Sequence, residues 1–439
     1  MSGADGYNAS GVYGTQGVAS AGNVPGAREG AAGWTDSSGN FWLFGGVGYD
    51  ATGASGWLDD LWKLNATTEE WTWVGGSSNS VNQAGVYGAT GAASAANTPG
   101  ARYGAVSWTD SSGNLWLFGG AGIGANGTSG AFNDLWKFSP ANNEWTWEGG
   151  SDLAGASGVY GTQGVAAAGN TPGARAGAVG WTDSSGDFWL FGGGGYDSTG
   201  SQGALNDLWE FSPAKREWTW VSGLDAVNPQ GVYGMEGTAS ANNVPGGRSY
   251  AVTWTGSTGN LWLFGGGGYD STDSQGILND LWEFNTATHE WTWAGGSHLA
   301  NASGVYGTQG VTAAGNTPGA REGAVGWTDS SGNFWLFGGV CFDASNPPLD
   351  SGDTNDLWEF SAASSEWTWV RGPMFAADTP SPQGVYGKKG TASASNVPGG
   401  RSRAVGWVDA NGNLWLLGGE GLDFGDLPGN LNDLWRYQP

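Results

Sequence analysis

The residues best suited to chemistry in this sequence are six arginines, each closing a Pro-Gly-(Ala/Gly)-Arg tetrapeptide: Arg28, Arg102, Arg175, Arg248, Arg321 and Arg401. They make up 6 of the chain's 15 basic residues. A guanidinium presents a planar fork of donors, so a ring of six would suit an anionic or carboxylate-bearing ligand gripped bidentately. The same fork also suits an internal carboxylate. One aspartate recurs at matching intervals, Asp60, Asp134, Asp207, Asp280, Asp356 and Asp433, as a structural pair would require.

Other reactive groups are sparse. His289 and His298 are the only histidines, and Cys341 is the only cysteine, which rules out an internal disulfide and a cysteine-based zinc site. Glu70, Glu144, Glu217, Glu290 and Glu366 repeat in identical contexts and read as a solvated edge rather than an acid–base pair. Asp-rich stretches such as Asp270-Ser271-Thr272-Asp273 match no calcium-loop spacing. No catalytic residue, cofactor or metal is assigned.

The elements that position these residues come from internal repetition, which is sought before any single strand or helix. The six arginines are spaced 74, 73, 73, 73 and 80 residues apart. Each is followed by a small-residue run ending in Trp, such as Gly30 to Thr35, and then by a turn of the Asp36-Ser37-Ser38-Gly39-Asn40 kind. Next come Phe41-Trp42-Leu43-Phe44-Gly45-Gly46, a variable Gly/Ser/Asp stretch, Asp60-Leu61-Trp62-Lys63-Leu64 and Glu70-Trp71-Thr72-Trp73. A long segment carrying Gly-Val-Tyr-Gly, with Tyr13, Tyr87, Tyr160, Tyr233, Tyr306 and Tyr386, leads into the next Pro-Gly. The repeat accounts for 28 of the 29 tryptophans. Short aromatic and β-branched runs bounded by such turns are strands and hairpins, and no helical periodicity is sustained. Four strands per unit and six units predict an all-β, six-bladed β-propeller of four-stranded antiparallel blades. It forms a single domain over 1–439, with units at about 28–101, 102–174, 175–247, 248–320, 321–400 and 401–439, and with 1–27 as the leading inter-blade segment.

The Gly-Gly doublet, the Asn-Asp-Leu-Trp strand and the Glu-Trp-Thr-Trp strand resemble the kelch repeat, in the long-unit form of the galactose-oxidase-like central propeller. The resemblance covers the whole chain. It implies a propeller but leaves function open, since such folds carry enzymes, glycan binders and protein adaptors alike. A galactose-oxidase-like copper site would need paired His ligands and a Cys–Tyr crosslink. Here His289 opens an outer strand, His298 lies in the following loop, and Cys341 replaces the Gly found at Gly48, so neither histidine is expected to reach the axis.

In such a blade the first strand lines the axis and the fourth is outermost. The two short connections, Asp36 to Asn40 and Asn65 to Glu69, fall on one face; the long ones, Val47 to Leu58 and Val74 to Pro99, fall on the other. The long connections therefore suggest a binding rim, or else a structural collar. Strand-borne tryptophans are expected in the core, where aromatic burial is most favourable. Trp57 lies outside the repeat pattern in a loop, and is the aromatic singled out for ligand contact.

The count also predicts an incomplete last blade. Six first, second and third strands face only five Glu-Trp-Thr-Trp strands, leaving an open outer edge at Leu431–Tyr437. An exposed edge invites a partner strand.

Forty acidic residues give a net charge of −25, so a nucleic-acid partner is not expected. No apolar window is long enough to span a membrane, and Met1 to Asp5 lack the start of a leader, so a secreted or cell-surface protein whose leader is absent from this sequence is expected. The function expected is a non-catalytic binding or scaffolding module for a glycan or protein. A carbohydrate-active enzyme with acids and arginines at the channel mouth, and a purely architectural surface or engineered repeat protein, are the alternatives.

Overall fold

A computed structural model describes residues 3–343, 350–374, 382–422 and 427–439, and among them there are strands but no helix. Each repeat becomes an antiparallel sheet. In the first unit Ala32–Thr35, Phe41–Phe44, Leu61–Leu64 and Trp71–Gly75 pair in chain order. The same order holds for Val106–Thr109, Leu115–Phe118, Leu135–Ser139 and Glu144–Gly149 in the second.

The turn between first and second strands is built by its aspartate. Asp36 accepts the N–H groups of Ser38 and Asn40 at 2.9 Å through one oxygen, and the Trp42 indole at 2.9 Å through the other. This Asx arrangement fixes the hairpin locally. The Gly-Gly doublet ending the second strand has the opposite role, a close approach. Gly45 sits at φ +67°, and a Cβ there would fall 2.6 Å from the backbone oxygen of Arg102 in the next unit. Only glycine fits.

Past the doublet, the stretch expected to be a loop is a second hairpin. In the first unit Arg28–Glu29 pairs with Val47–Tyr49, which pairs with Ser55–Trp57. In the third, fourth and sixth units it is continuous with the main strands, giving Phe188–Tyr196, Leu261–Tyr269 and Leu414–Leu422. Trp57 therefore lies in a strand, opposite Val47, rather than in a loop. Cys341 also lies in a strand, Val340–Asp343, opposite Arg321. Gly-rich sequence concealed these strands, because side-chain alternation carries little signal when alternate residues have no side chain.

First strands of consecutive units lie side by side, and Val405–Val408 of the last lies beside Ala32–Thr35 of the first. Each hydrophobic cluster spans two units, including one that joins Trp407 and Trp415 to Phe41 and Trp62. The joints are of two alternating kinds. Where the second strand opens on Phe41, Phe188 or Phe334, that ring stacks on Trp407, Trp108 or Trp254 of the preceding unit at 3.7–3.8 Å. Where it opens on Leu115, Leu261 or Leu414, the preceding Trp34, Trp181 or Trp327 instead donates its indole N–H to a backbone carbonyl at 2.7–2.9 Å.

The last unit has three main strands. Pro428–Tyr437 pairs with Leu414–Leu422, and among the described residues no strand covers its other side. The described N-terminal residues do not supply one: Ala4 donates to the Asn432 side chain at 2.9 Å, and Asn8 to the Asn430 carbonyl at 2.7 Å.

Candidate functional site

The six repeat arginines are 1–2% exposed, with their donors turned inward. Arg175 donates through both terminal nitrogens to Asp207 at 2.7 Å, and also to the carbonyls of Gly173 and Gly192 at 2.9 Å. Asp207 further accepts the Tyr160 hydroxyl and the Trp209 indole, each at 2.7 Å. The other five units repeat this arrangement, with Arg–Asp distances of 2.6–2.8 Å. The carboxylate alternative is the one the geometry favours. Each clamp ties a Pro-Gly turn, a Gly-Val-Tyr-Gly segment and a third strand together.

A different set of residues breaks the repeat. Two positions after each arginine stand Gly30, Gly104, Gly177, Tyr250, Gly323 and Arg403. Each donates its backbone N–H to the carbonyl of the one before, and Gly30 donates to Arg403, so a chain of six hydrogen bonds of 2.7–2.9 Å returns to its start. All six have φ between +52° and +64°. Four are glycine, as that conformation favours. Tyr250 and Arg403 hold it against side-chain strain, and such strain concentrates at functional sites.

Their side chains cover this circuit. A Cβ on Gly177 would fall 2.8 Å from the Tyr250 ring, and one on Gly104 3.3 Å from its hydroxyl. The Arg403 guanidinium lies 5.1 Å from the Tyr250 ring centre, 3.0 Å from Glu29 and 3.5 Å from Glu420. Burial pushes the Glu29 and Glu322 carboxyls above their usual range, with Arg403 pulling against it in both cases. Burial, reinforced by Tyr103, raises the Tyr250 phenol to about 12. Glu322 borders a depression of about 410 Å³ lined by Ser249, Gln275 and Ile277. Trp57 joins this group from the first unit: half-buried, it stacks on Tyr103 with ring centres 6.1 Å apart.

The geometry thus gathers carboxylates, phenols, one guanidinium and a Trp–Tyr platform around this circuit, set by the residues just after each repeat arginine. Sequence reasoning fixed on what recurs and passed over these positions. Their signal was departure from the repeat, with Glu29, Tyr103, Ala176, Ser249, Glu322 and Ser402 drawn from four residue types where the arginine before them never varies. The histidines lie elsewhere. His289 sits in a turn against Trp189 and Phe284, and His298 contacts Ser271 at 3.2 Å. Among the described residues one trio of acids, Asp183, Asp187 and Glu210, lies close enough to share a cation. Nothing beyond proximity points to an ion there.

No protein-family model and no curated protein matches this sequence. Among solved structures the chain is similar to one titled "Structure of YjhT", at 16% identity over 94% of this chain and 95% of that one, with a TM-score of 0.54. That likeness is one of fold, and the fold is β-propeller-like.

Proposed function

We propose that this chain is a six-bladed kelch-like propeller acting as a non-catalytic binding module, and that its ligand is a glycan held at the mouth around Tyr250 and Arg403. The blade number is supported by the cyclic adjacency of the six first strands. The observation that carries the binding reading is the left-handed backbone of Tyr250 and Arg403 where four other units place glycine. Strain of about 1–3 kcal/mol per residue persists where the surrounding structure over-determines it, as the hydrogen-bonded circuit does here, and it clusters at functional sites. Trp57 stacked on Tyr103 offers an apolar face to a sugar ring, and Glu29, Glu322 and Glu420 offer acceptors to its hydroxyls.

A carbohydrate-active enzyme is the second reading, favoured by the carboxyl groups of Glu29 and Glu322, which burial shifts toward their protonated form, the direction that suits proton transfer. A glycan array followed by calorimetry tests the first. Binding should fall at least about tenfold in Trp57→Ala and in Arg403→Gly, with folding retained because glycine relieves the strain. Recovery of the bound glycan unaltered separates binding from catalysis. Binding that survives both substitutions would move the site elsewhere.

A further inference from the structure

Two of the repeat arginines are followed by glutamate, and the two glutamates have different surroundings. Glu29 accepts the Arg403 guanidinium at 3.0 Å, and Glu420 lies 3.5 Å from the same group, so that guanidinium is already shared by two carboxylates. Glu322 accepts no hydrogen bond from the described residues, and Arg403 acts on it only through space.

Strand register gives the reason. Glu29 faces Val47, which faces Trp57; Glu322 faces Val340, which faces Asp353. The same row is Ser249, Gly267 and Ile277 in the fourth unit, and Ser402, Glu420 and Asn430 in the sixth. Glu29 therefore meets Glu420 and its partner Arg403 at the joint with the sixth unit. Glu322 meets Gly267 at the joint with the fourth, where a Cβ would overlap its carboxylate. The side chain missing at Gly267 leaves the depression of about 410 Å³, in which Glu322 is the one charged group beside Ser249, Gln275 and Ile277. That volume lies within the usual range for ligand sites, about 300–1,000 Å³.

Charge is also unevenly spread among the rows. Those of the second and third units, Tyr103-Ala121-Ala131 and Ala176-Gly194-Ala204, hold none. Those of the fifth, sixth and first hold Glu322, Asp353, Glu420 and Glu29, all carboxylates. One Asp353 oxygen is buried with no hydrogen-bond partner among the described residues. The Trp57–Tyr103 platform stands between the first row and the uncharged ones. An anionic sugar would find Arg403 occupied and the carboxylates opposed to it.

We infer that the glycan held at this circuit carries a free primary amine, seated as ammonium in the depression against Glu322: its class is a de-N-acetylated amino-sugar oligomer. The inference rests on the glycan reading and names the ligand for it. An ammonium brings three donors to the Glu322 carboxylate and to the Ser249 and Gln275 side-chain oxygens, and a donor with full charge makes the stronger bond. A hydroxyl or an acetamide brings no charge and leaves Glu322 uncompensated. The net charge of −25 favours the approach of a cationic ligand.

The test measures binding of the full chain, by calorimetry at low salt with the amines protonated, to β-1,4-linked tetrasaccharides of glucosamine, N-acetylglucosamine and glucose. The glucosamine oligomer should bind at least about tenfold more tightly than either neutral one, and the advantage should shrink as salt is added. Glu322→Gln keeps the side chain's size and neutral hydrogen bonding. It should melt as the parent does, bind the neutral oligomers unchanged, and reduce the glucosamine advantage to about twofold or less. Equal binding of the glucosamine and glucose oligomers, both weakened by Trp57→Ala, overturns the amine inference and leaves the glycan reading standing. So does failure of all three oligomers when amine-free glycans bind on the array; a blank array removes both. An advantage untouched by Glu322→Gln overturns it as well, since the overall charge would then be its source. Tetralysine bound as tightly, with the same dependence on Glu322, overturns it by making the ligand a basic peptide.

Discussion

Asp207→Ala is the sharpest probe of what holds the units together. It leaves the Arg175 guanidinium, 1% exposed, with two carbonyls and no counter-charge, and strips the acceptor from the Tyr160 hydroxyl and the Trp209 indole. An unpaired buried charge costs about 3–5 kcal/mol. Each orphaned donor adds about 1 kcal/mol or more, so a loss of at least about 5 kcal/mol is expected, comparable to the whole stability of many domains. The pair is also replaceable. In Arg175→Met/Asp207→Leu the same two donors are orphaned but no charge remains, so this double variant should be more stable than Asp207→Ala by about 1–3 kcal/mol. Urea unfolding followed by tryptophan fluorescence, with amide exchange to detect local opening, measures both. The reasoning fails if Asp207→Ala loses less than about 1 kcal/mol, or if the double variant is the weaker of the two.

Three further outcomes follow from other sites. Asp59 stands where other units have Asn133, Asn206 and Asn279, whose amides donate to a proline carbonyl at 3.0–3.2 Å; burial pushes its carboxyl from 3.8 to about 6. A raised carboxyl stabilises the fold below its unfolded value and loses that contribution as pH rises through about 6, so Asp59→Asn should gain stability relative to the parent between pH 4 and 7 by up to about 3 kcal/mol, checked by melts across that range. Gly265→Ala, whose Cβ would fall 2.7 Å from the Arg321 carbonyl oxygen, should be far more costly than Gly259→Ala, which carries φ +83° in open space and should lose only about 1–2 kcal/mol in the same melts. Phe188→Leu removes a ring stacked at 3.7 Å on Trp108 and should cost about 1–3 kcal/mol by urea titration, with a change in near-ultraviolet dichroism.

The strand repertoire was legible because tryptophan marks it: a large aromatic in a four-residue run bounded by Asx turns has few other uses. The arginine–aspartate pairing was legible for a similar reason, since two opposite charges recurring with one period satisfy each other. The second hairpin was not, because Gly-Gly-Gly-Gly-Tyr in the third unit offers no alternation to read. Nor was the mouth. Its residues come from separate units far apart in sequence, and only the hydrogen-bonded circuit brings Glu29, Tyr250 and Arg403 together. The count of outer strands expected an open edge at Leu431–Tyr437, and among the described residues Pro428–Tyr437 pairs on one side only.

The alternation of Phe and Leu at the start of the second strands gives the molecule a parity. Trp34, Trp181 and Trp327 are set to meet leucine across the joint, and Trp108, Trp254 and Trp407 to meet phenylalanine. The unit that can be copied or excised without disturbing a joint is therefore a block of two. Removing residues 102–247 would bring Trp34 against Leu261, a match of the kind it already makes with Leu115. Removing 175–247 alone would bring Trp108 against Leu261, with a void where the Phe188 ring had stacked. An even number of units keeps every joint matched, and an odd number would carry a misfitted seam.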